Sequence, residues 1–383
     1  MSIYTLEIVD GGMLTTVQDL GRWGYQRFGV PISGAMDPFA LRAANILVGN
    51  EEGAACLEIT VLGPLVKLLA DTWIALTGGD LTPMLDGEPV PMWRTVPVGS
   101  GSVLSFGGPK DGLRAYLAVA GGIDVPLLMG SRSTYLRASM GGYEGRALKA
   151  SDVLKASEPG GQYEERCLPK DFSPPTYRHT NEVRVVLGPQ DAAFTSNGIE
   201  TLLDSTFKVS MDSDRMGYSL EGPAIEHVSG PDIVSDGTAL GAVQVPGDGK
   251  PIVLLADRGT TGGYTKIATV ISSDIGIFAQ AMPGDELKFK AVGVDEAGRI
   301  LSEQREVLAG IGVDRTVSEA TLSVVIDGEA IEIEDEKGVL LTVSEAPGDG
   351  DGVVSRRVGA TVDGRTFEFE VRVKEQEPSG PPL

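Results

Sequence analysis

The sequence predicts a mostly β protein: two barrel-like units with a few short helices, followed by a small acidic β-hairpin module. Three observations carry this. Short runs rich in β-branched, aromatic and aliphatic residues recur along the chain. Glycine makes up 51 of 383 residues, about twice its usual share of roughly 7%. Pairs such as Gly78–Gly79, Gly107–Gly108, Gly121–Gly122 and Gly262–Gly263 fall between the β-type runs, where glycine closes tight turns and bulges.

Residues 1–160 form the first predicted unit, with strands at "TWIALTG", "SVLSFGG" and "RAYLAVAGG". "MLDGEPV" is a hairpin signal, because Asp86–Gly87 suits a tight primed turn. The stretch "GVPISGAMDPFALRAANILVGN" predicts an irregular loop feeding a short helix. Asp37 is its N-cap, Pro38 takes the first helical position, and Gly49 offers a left-handed stop. Such a helix start presents free N–H groups and favours an anionic ligand. Residues 161–178, rich in Pro, Gly and charge, read as a linker. The second unit, 179–296, has strands at "EVRVVLGPQ", "FKVSM", "AVQVP", "PIVLLAD", "IATVIS" and "ELKFKAV", with helices expected at Pro189–Asn197 and Ser273–Ala281. A helical connector is expected over 297–315. Then "VIDGEAIEIE" and "TVDGRTFEFE" repeat one pattern of strand, Asp-Gly turn and alternating strand, predicting an acidic β module over 316–374. Residues 375–383 are expected to be disordered.

A net charge of −22 argues against nucleic acid or an anionic membrane surface as partner. The charge is uneven: residues 306–383 carry 17 acids and 7 bases. An anionic substrate must therefore be met by locally placed Arg and Lys. Two cysteines, Cys56 and Cys167, make no disulfide framework and suit a reducing compartment. With no signal-peptide pattern at the start and no long apolar span, a cytoplasmic location is expected.

His179 and His227 are the only histidines, so neither a His-rich metal site nor a Ser-His-Asp triad is expected; no metal ligands are assigned. No phosphate-binding P-loop or dinucleotide fingerprint appears. Chemistry then falls to five polar clusters: Gln18, Asp19, Arg22, Tyr25 and Gln26; Ser33 with Asp37; Arg132 to Tyr135 with Arg137; Asp214 to Met216; and Asp236, Gln244, Asp257, Arg258, Thr260, Thr261 and Lys266. Each also has a plainer reading. Asp19 with Arg22 reads as a turn-stabilising ion pair, Asp37 as a cap only, and Arg132 and Arg137 as solvated loop residues.

Four strings sharpen these readings: "QDLGRWGYQRFGVPISGAMDPFALRAANILVGN", "AYLAVAGGIDVPLLMGSRSTYLRASMGGYEGRALKASD", "SDRMGYSLEGP" and "SDGTALGAVQVPGDGKPIVLLADRGTTGGYTKIATVISSD". Across residues 3–296 the chain resembles the biotin-dependent carboxyltransferase family, once labelled allophanate hydrolase subunit 2. That family includes the C subunit of bacterial 5-oxoprolinase, a kinase-inhibitor antagonist, and half of the carboxyltransferase domain of urea carboxylase. The resemblance implies two cyclophilin-like β-barrel units. It also implies a cytoplasmic 5-oxoprolinase complex with two sister proteins, the kinase-inhibitor-like B subunit and the A subunit. The activity it implies is ATP-dependent (with Mg) opening of 5-oxo-L-proline to L-glutamate. Two alternatives stay open: carboxyl transfer from carboxybiotin supplied in trans to a urea-like acceptor, or a non-catalytic antagonist that binds the kinase-inhibitor-like protein. No Ala-Met-Lys-Met-type biotin acceptor occurs, so no covalent biotin is expected on this chain.

A lactam or amide substrate needs cations for its carboxylate and for phosphoryl oxygens, and an acceptor for its N–H. By residue type and motif position, Arg22, Arg132 and Arg258 are candidates for the first role. Asp37 and Asp257 are candidates for the second. Ser33 and Gln244 would orient the amide, and Thr134, Tyr135, Arg215 and Thr261 complete the substrate-binding set. Of these, Asp37, Asp257, Arg258 and Arg22 are the expected catalytic residues.

Overall fold

The computed structural model describes residues 2–157, 165–177 and 179–313, and the backbone of strands at 322–326, 329–333, 340–345, 353–362 and 365–374. The expected disordered tail, 375–383, lies outside the described residues. The chain divides into two units, Met1–Asp314 and Arg315–Leu383.

The first half of the larger unit distributes its strands over two antiparallel sheets. In spatial order, one sheet holds Ile123–Asp124, Val153–Ser157, Ser2–Asp10, Leu65–Leu68, Val103–Phe106, Pro83–Leu85 and Glu88–Pro89. The other holds Leu14–Gln18, Cys56–Thr60, Asp111–Val119, Thr72–Asp80 and Thr95–Val98. Between them lies an aliphatic core that includes Leu6, Ile8, Leu57, Ile59, Val66, Leu76 and Leu117. The expected hairpin is present: Pro83–Leu85 pairs with Glu88–Pro89 through Asp86 and Gly87, at φ 51° and 90°. Positive φ at both central residues is what a type I′ turn requires.

The second half closes as a seven-stranded barrel, ordered Thr180–Leu187, Lys266–Val270, Ala242–Gln244, Ile252–Leu254, Gly217–Glu221, Thr206–Val209 and Glu286–Ala291. Parallel pairing of Glu286–Ala291 with Thr180–Leu187 shuts it, removing the free sheet edges. Its core is built on Val183, Phe207, Tyr218, Val243, Ile267, Phe278 and Leu287. A ribbon of Asp232–Gly237 and Thr261–Tyr264 stands apart from the barrel sheet.

Helix α1, Pro38–Leu47, lies on the Thr72–Asp80 and Asp111–Val119 strands. Ala40, Ala43 and Ala44 face Ala75 and Ala118 in one core cluster, and these small side chains let helix and sheet approach closely. Asp37 caps the helix, accepting from Ala40 N at 3.1 Å. Gly49, at φ 77°, ends it.

Three expectations need correction. The helix expected at Pro189–Asn197 is instead α2, Ser196–Asp204, because Thr195 is the N-cap and accepts from Gly198 N; only a 3-10 turn, Asp191–Ala193, precedes it. The helical connector, bounded at 297–315 with its helix read on "DEAGRILSEQREVLAG" after Val294, begins and ends a few residues earlier than those bounds. After α3 (Ile275–Gln280), α4 spans Val294–Ala309, with Asp295 and Glu296 favouring its N-terminal turn. Of the expected linker 161–178, the described part, 165–177, is packed structure. Arg166–Cys167 pairs with Gly312–Val313, and Phe172 meets Phe39 edge-on at 6.0 Å; the rest lies outside the described residues.

The smaller unit contains the antiparallel pair Leu322–Ile326 with Glu329–Ile333, and the three-stranded order Leu340–Glu345, Val353–Val362, Arg365–Lys374. The strand pairs fall on the two repeats read from sequence.

Candidate active site

The irregular loop before α1 is where the two halves of the larger unit meet. Ser33 sits at φ 59° and Gly34 at 89°, a kink that an L-residue rarely adopts. Loops 19–22 and 32–35 are zipped by Arg22 N donating to Ile32 O (2.8 Å) and Ala35 N to Asp19 O (2.9 Å). The approach needs glycine: a Cβ on Gly34 would lie 2.8 Å from Gly21 N, and one on Gly21 2.6 Å from Ile32. Ser33 N then donates to Ala256 O across the junction at 3.1 Å.

A buried ionic network grows from this kink. Ser33 Oγ donates to Asp257 Oδ1 at 2.6 Å and lies 3.0 Å from Thr134 O. Arg215 donates through Nε to Asp257 Oδ2 (2.9 Å), through Nη2 to Asp257 Oδ1 (3.2 Å) and Gly34 O (2.6 Å), and through Nη1 to Glu58. Burial works against the Arg215 charge, yet the flanking Glu58 and Asp257 carboxylates hold its pKa above the ordinary value. Glu58 Oε2 accepts from Met36 N and from Tyr116 Oη, each at 2.8 Å, and Tyr116 Oη accepts from Asp37 N at 2.7 Å. The network thus fixes the backbone on both sides of the helix start.

Asp37 is more than a cap. It is 2% exposed; besides Ala40 N it takes Gln280 Nε2 on Oδ2 at 3.2 Å and a hydrogen bond from Tyr177. Burial raises its pKa, the Ala40 and Gln280 bonds pull the other way, and the charge of Glu58 adds to the rise. Gly276 is the residue opposite; a Cβ there would come within 2.9 Å of Asp37 Oδ1. Gln280 clamps the two halves together. Its Oε1 accepts from Leu113 N (3.0 Å) and Arg114 N (2.8 Å), and its Nε2 also donates to Arg114 O (2.9 Å). Arg114 crosses in turn, donating to Tyr218 Oη at 2.7 Å and to Ala279 O.

Beside this network opens a cleft of about 580 Å³. Ser33, Asp37, Tyr177, Arg258, Ser273 and α4 residues are among its walls. Arg258 is 6% exposed, and its contacts are Nε to Thr238 O and Nη1 to Leu255 O, both at 3.3 Å. Burial alone lowers its pKa, to about 10.

The candidate residues thus divide. Ser33, Asp37, Thr134, Arg215, Asp257 and Arg258 gather at the junction. Arg22 lies next to it with its side chain fully enclosed; it donates to Ser133 O, while Nε and Nη1 have no partner among the described residues. It makes no ion pair with Asp19, whose carboxylate instead accepts from Gly21 N, Ser131 Oγ, Arg132 N and Ser133 Oγ. The Arg132 side chain turns to Val125 O (2.9 Å) and Asp124 (3.4 Å). Tyr135 exchanges backbone hydrogen bonds with Met140. Gln244 and Thr261 are not among the cleft's walls, Gln244 being with Tyr264 O at 3.5 Å and Thr261 on the exposed ribbon. Sequence reading missed Glu58, Tyr116, Tyr177 and Gln280. One signal was available for Glu58: a lone acid inside the apolar strand "CLEIT".

Comparison with known proteins fits this architecture. The model of the family described as Carboxyltransferase domain, subdomain A and B, matches residues 28–291, and the chain belongs to that family. It is 39% identical over 300 residues to the 5-oxoprolinase C subunit of Escherichia coli (strain K12), covering 78% of this chain and 95% of that protein. It is 36% identical over 319 residues to urea amidolyase of Saccharomyces cerevisiae, covering 79% of this chain but 17% of that protein. The crystal structure of the Kluyveromyces lactis urea carboxylase superposes with a TM-score of 0.76 at 30% identity, over 95% of this chain and 33% of the other.

Proposed function

We propose that this chain is the C subunit of an ATP-dependent 5-oxoprolinase complex, which opens 5-oxo-L-proline to L-glutamate. The observation that carries the reading is the match to the Escherichia coli C subunit over 95% of its length. The chemistry of the cleft is compatible. A lactam is a stable amide, and transfer of the ATP γ-phosphoryl group to its oxygen makes the ring carbon electrophilic. Water adds there, the C–N bond breaks with a proton taken up on nitrogen, and a second water releases phosphate. Asp37, with a raised pKa in the cleft wall, is placed to hold or move a proton at the ring nitrogen. Ser33, aligned by Asp257 and Arg215, orients the amide. Among the described residues no group of three or more His, Cys, Asp or Glu side chains gathers to hold a metal ion. Magnesium bound with ATP draws on one or two carboxylates besides the phosphates, and ATP with its metal is assigned to the complex as a whole.

A second reading, carboxyl transfer to a urea-like acceptor from carboxybiotin supplied by another protein, is favoured by one observation. The chain is 36% identical to a urea amidolyase over 79% of its length, as much of the chain as the Escherichia coli C subunit matches, and it superposes on a urea carboxylase structure. Reconstitution with the candidate A and B partners, assayed for 5-oxoproline-dependent ADP release, tests the first reading. Release that is absent there, but restored as urea carboxylation by a biotin carboxylase and its carrier, transfers the assignment to the second.

A further inference from the structure

We propose that Arg258 is the anion anchor of the cleft. It holds the carboxylate of a compact, singly charged ring acid whose uncharged amide end reaches Asp37. This deepens the proposed function by assigning the orientation of its substrate, and it stands on the cleft's own chemistry.

Three observations converge. Arg258 is enclosed in the cleft wall with no acid paired to it among the described residues, and its two bonds to carbonyls are stretched to 3.3 Å. Arg215, equally buried, has two carboxylates. A desolvated guanidinium presents a planar fork that matches a carboxylate, and leaving it without an anion is costly. On the same half, Ser273 also lines the cleft, and its buried Oγ has no hydrogen-bond partner among the described residues. Finally, Asp37, contributed by the other half, is the only acid among the lining residues. Much of the remaining wall is apolar, with Ile32, Phe39, Leu240 and Ile275 suited to a small ring.

The arrangement selects by charge. A monoanion places its carboxylate on Arg258 and its amide at Asp37.

The test is binding of 5-oxo-L-proline, of 2-pyrrolidinone (the same lactam without the carboxylate) and of ADP to the reconstituted full-length complex, by calorimetry. The wild type should prefer 5-oxo-L-proline to 2-pyrrolidinone by roughly 100-fold, the scale of a desolvated charge pair. Arg258→Met should erase the preference while leaving 2-pyrrolidinone binding unchanged, which also shows that the variant is folded. Should Arg258→Met fail to fold, Arg258→Lys, which keeps the charge but loses the fork, must still lose part of the preference. A preference retained in either folded variant overturns the proposal. So does a wild type with equal or undetectable binding of acid and lactam, or an Arg258→Met complex that loses ADP binding alone. Absence of ADP release with the carboxylate preference intact would instead overturn the assigned reaction and leave the anchor standing.

Discussion

Ser33 and Asp257 stand 224 residues apart in sequence and 2.6 Å apart in the fold. Their hydrogen bond joins the kinked loop of the first half to a strand end of the barrel, at the edge of the cleft. Because Asp257 is also gripped by Arg215, the position of the Ser33 hydroxyl is set by a buried ion network spanning both halves.

Breaking that network at its cation should be severe. Arg215→Met leaves Glu58 and Asp257 buried without compensation, a loss of about 3–5 kcal/mol. Chemical denaturation checks it. Combining Arg215→Met with Glu58→Gln and Asp257→Asn should recover most of the loss; a single variant as stable as the wild type would show that the triad is not closed in solution.

Asp37 predicts a pH signature. Its folded pKa is raised by burial, so the folded state binds the proton more tightly than the unfolded chain. Its favourable contribution is full below the ordinary carboxylate range and is lost as pH rises through the raised value. Asp37→Asn, an uncharged cap, should therefore melt no lower than wild type at neutral pH, and its advantage should grow with rising pH. Asp37→Ala should lose about 1 kcal/mol of capping. In the reconstituted complex both should cut turnover by roughly two orders of magnitude. Near-normal turnover with a lowered melt in the Ala variant would leave Asp37 a cap only.

Much of this site was legible in sequence because local rules governed it. A Pro after an Asp announces a helix start, and glycines crowded around Ser33 announce an irregular backbone. The Asp257–Arg258 step ends an apolar run, where polar groups commonly reach a site. Gln244 and Thr261 share that motif, but neither lines the cleft, although the ribbon and Gln244 pack about Thr238, whose carbonyl takes Arg258; spacing does not reveal which side chains face the opening. Glu58, Tyr116 and Gln280 were hidden for another reason. Each sits inside an apolar strand or helix, and only the pairing of the two halves gives a buried polar group its partners.

The isolated chain should not hydrolyse 5-oxoproline, and coexpression with the proposed B partner should give a complex that copurifies. The expectation comes from the match of this chain to 33% of a continuous urea carboxylase chain, and from the subunit naming of its bacterial relatives. Turnover by the solo chain, with ATP and no partner, would sink the split-enzyme reading.

The C-terminal boundary can be located by two truncations that differ by nine residues. The larger unit ends at Asp314. Leu308 and Ile311 are both 7% exposed, in the cluster that covers α1, and Gly312–Val313 pairs with Arg166–Cys167. Removing 315–383 spares all of these contacts and should leave the cooperative melt of the body where it was. Removing 306–383 uncovers α1 and strips a strand from Arg166–Cys167. Two buried aliphatic side chains contribute about 3–6 kcal/mol, so the shorter body should melt on the order of 10 °C lower. Its cleft should also loosen, because Leu308 is part of the lining. Differential scanning calorimetry of the two truncations decides the matter. Equal melts would place the boundary before residue 306, and a collapse of the 315–383 deletion would place it inside the acidic module.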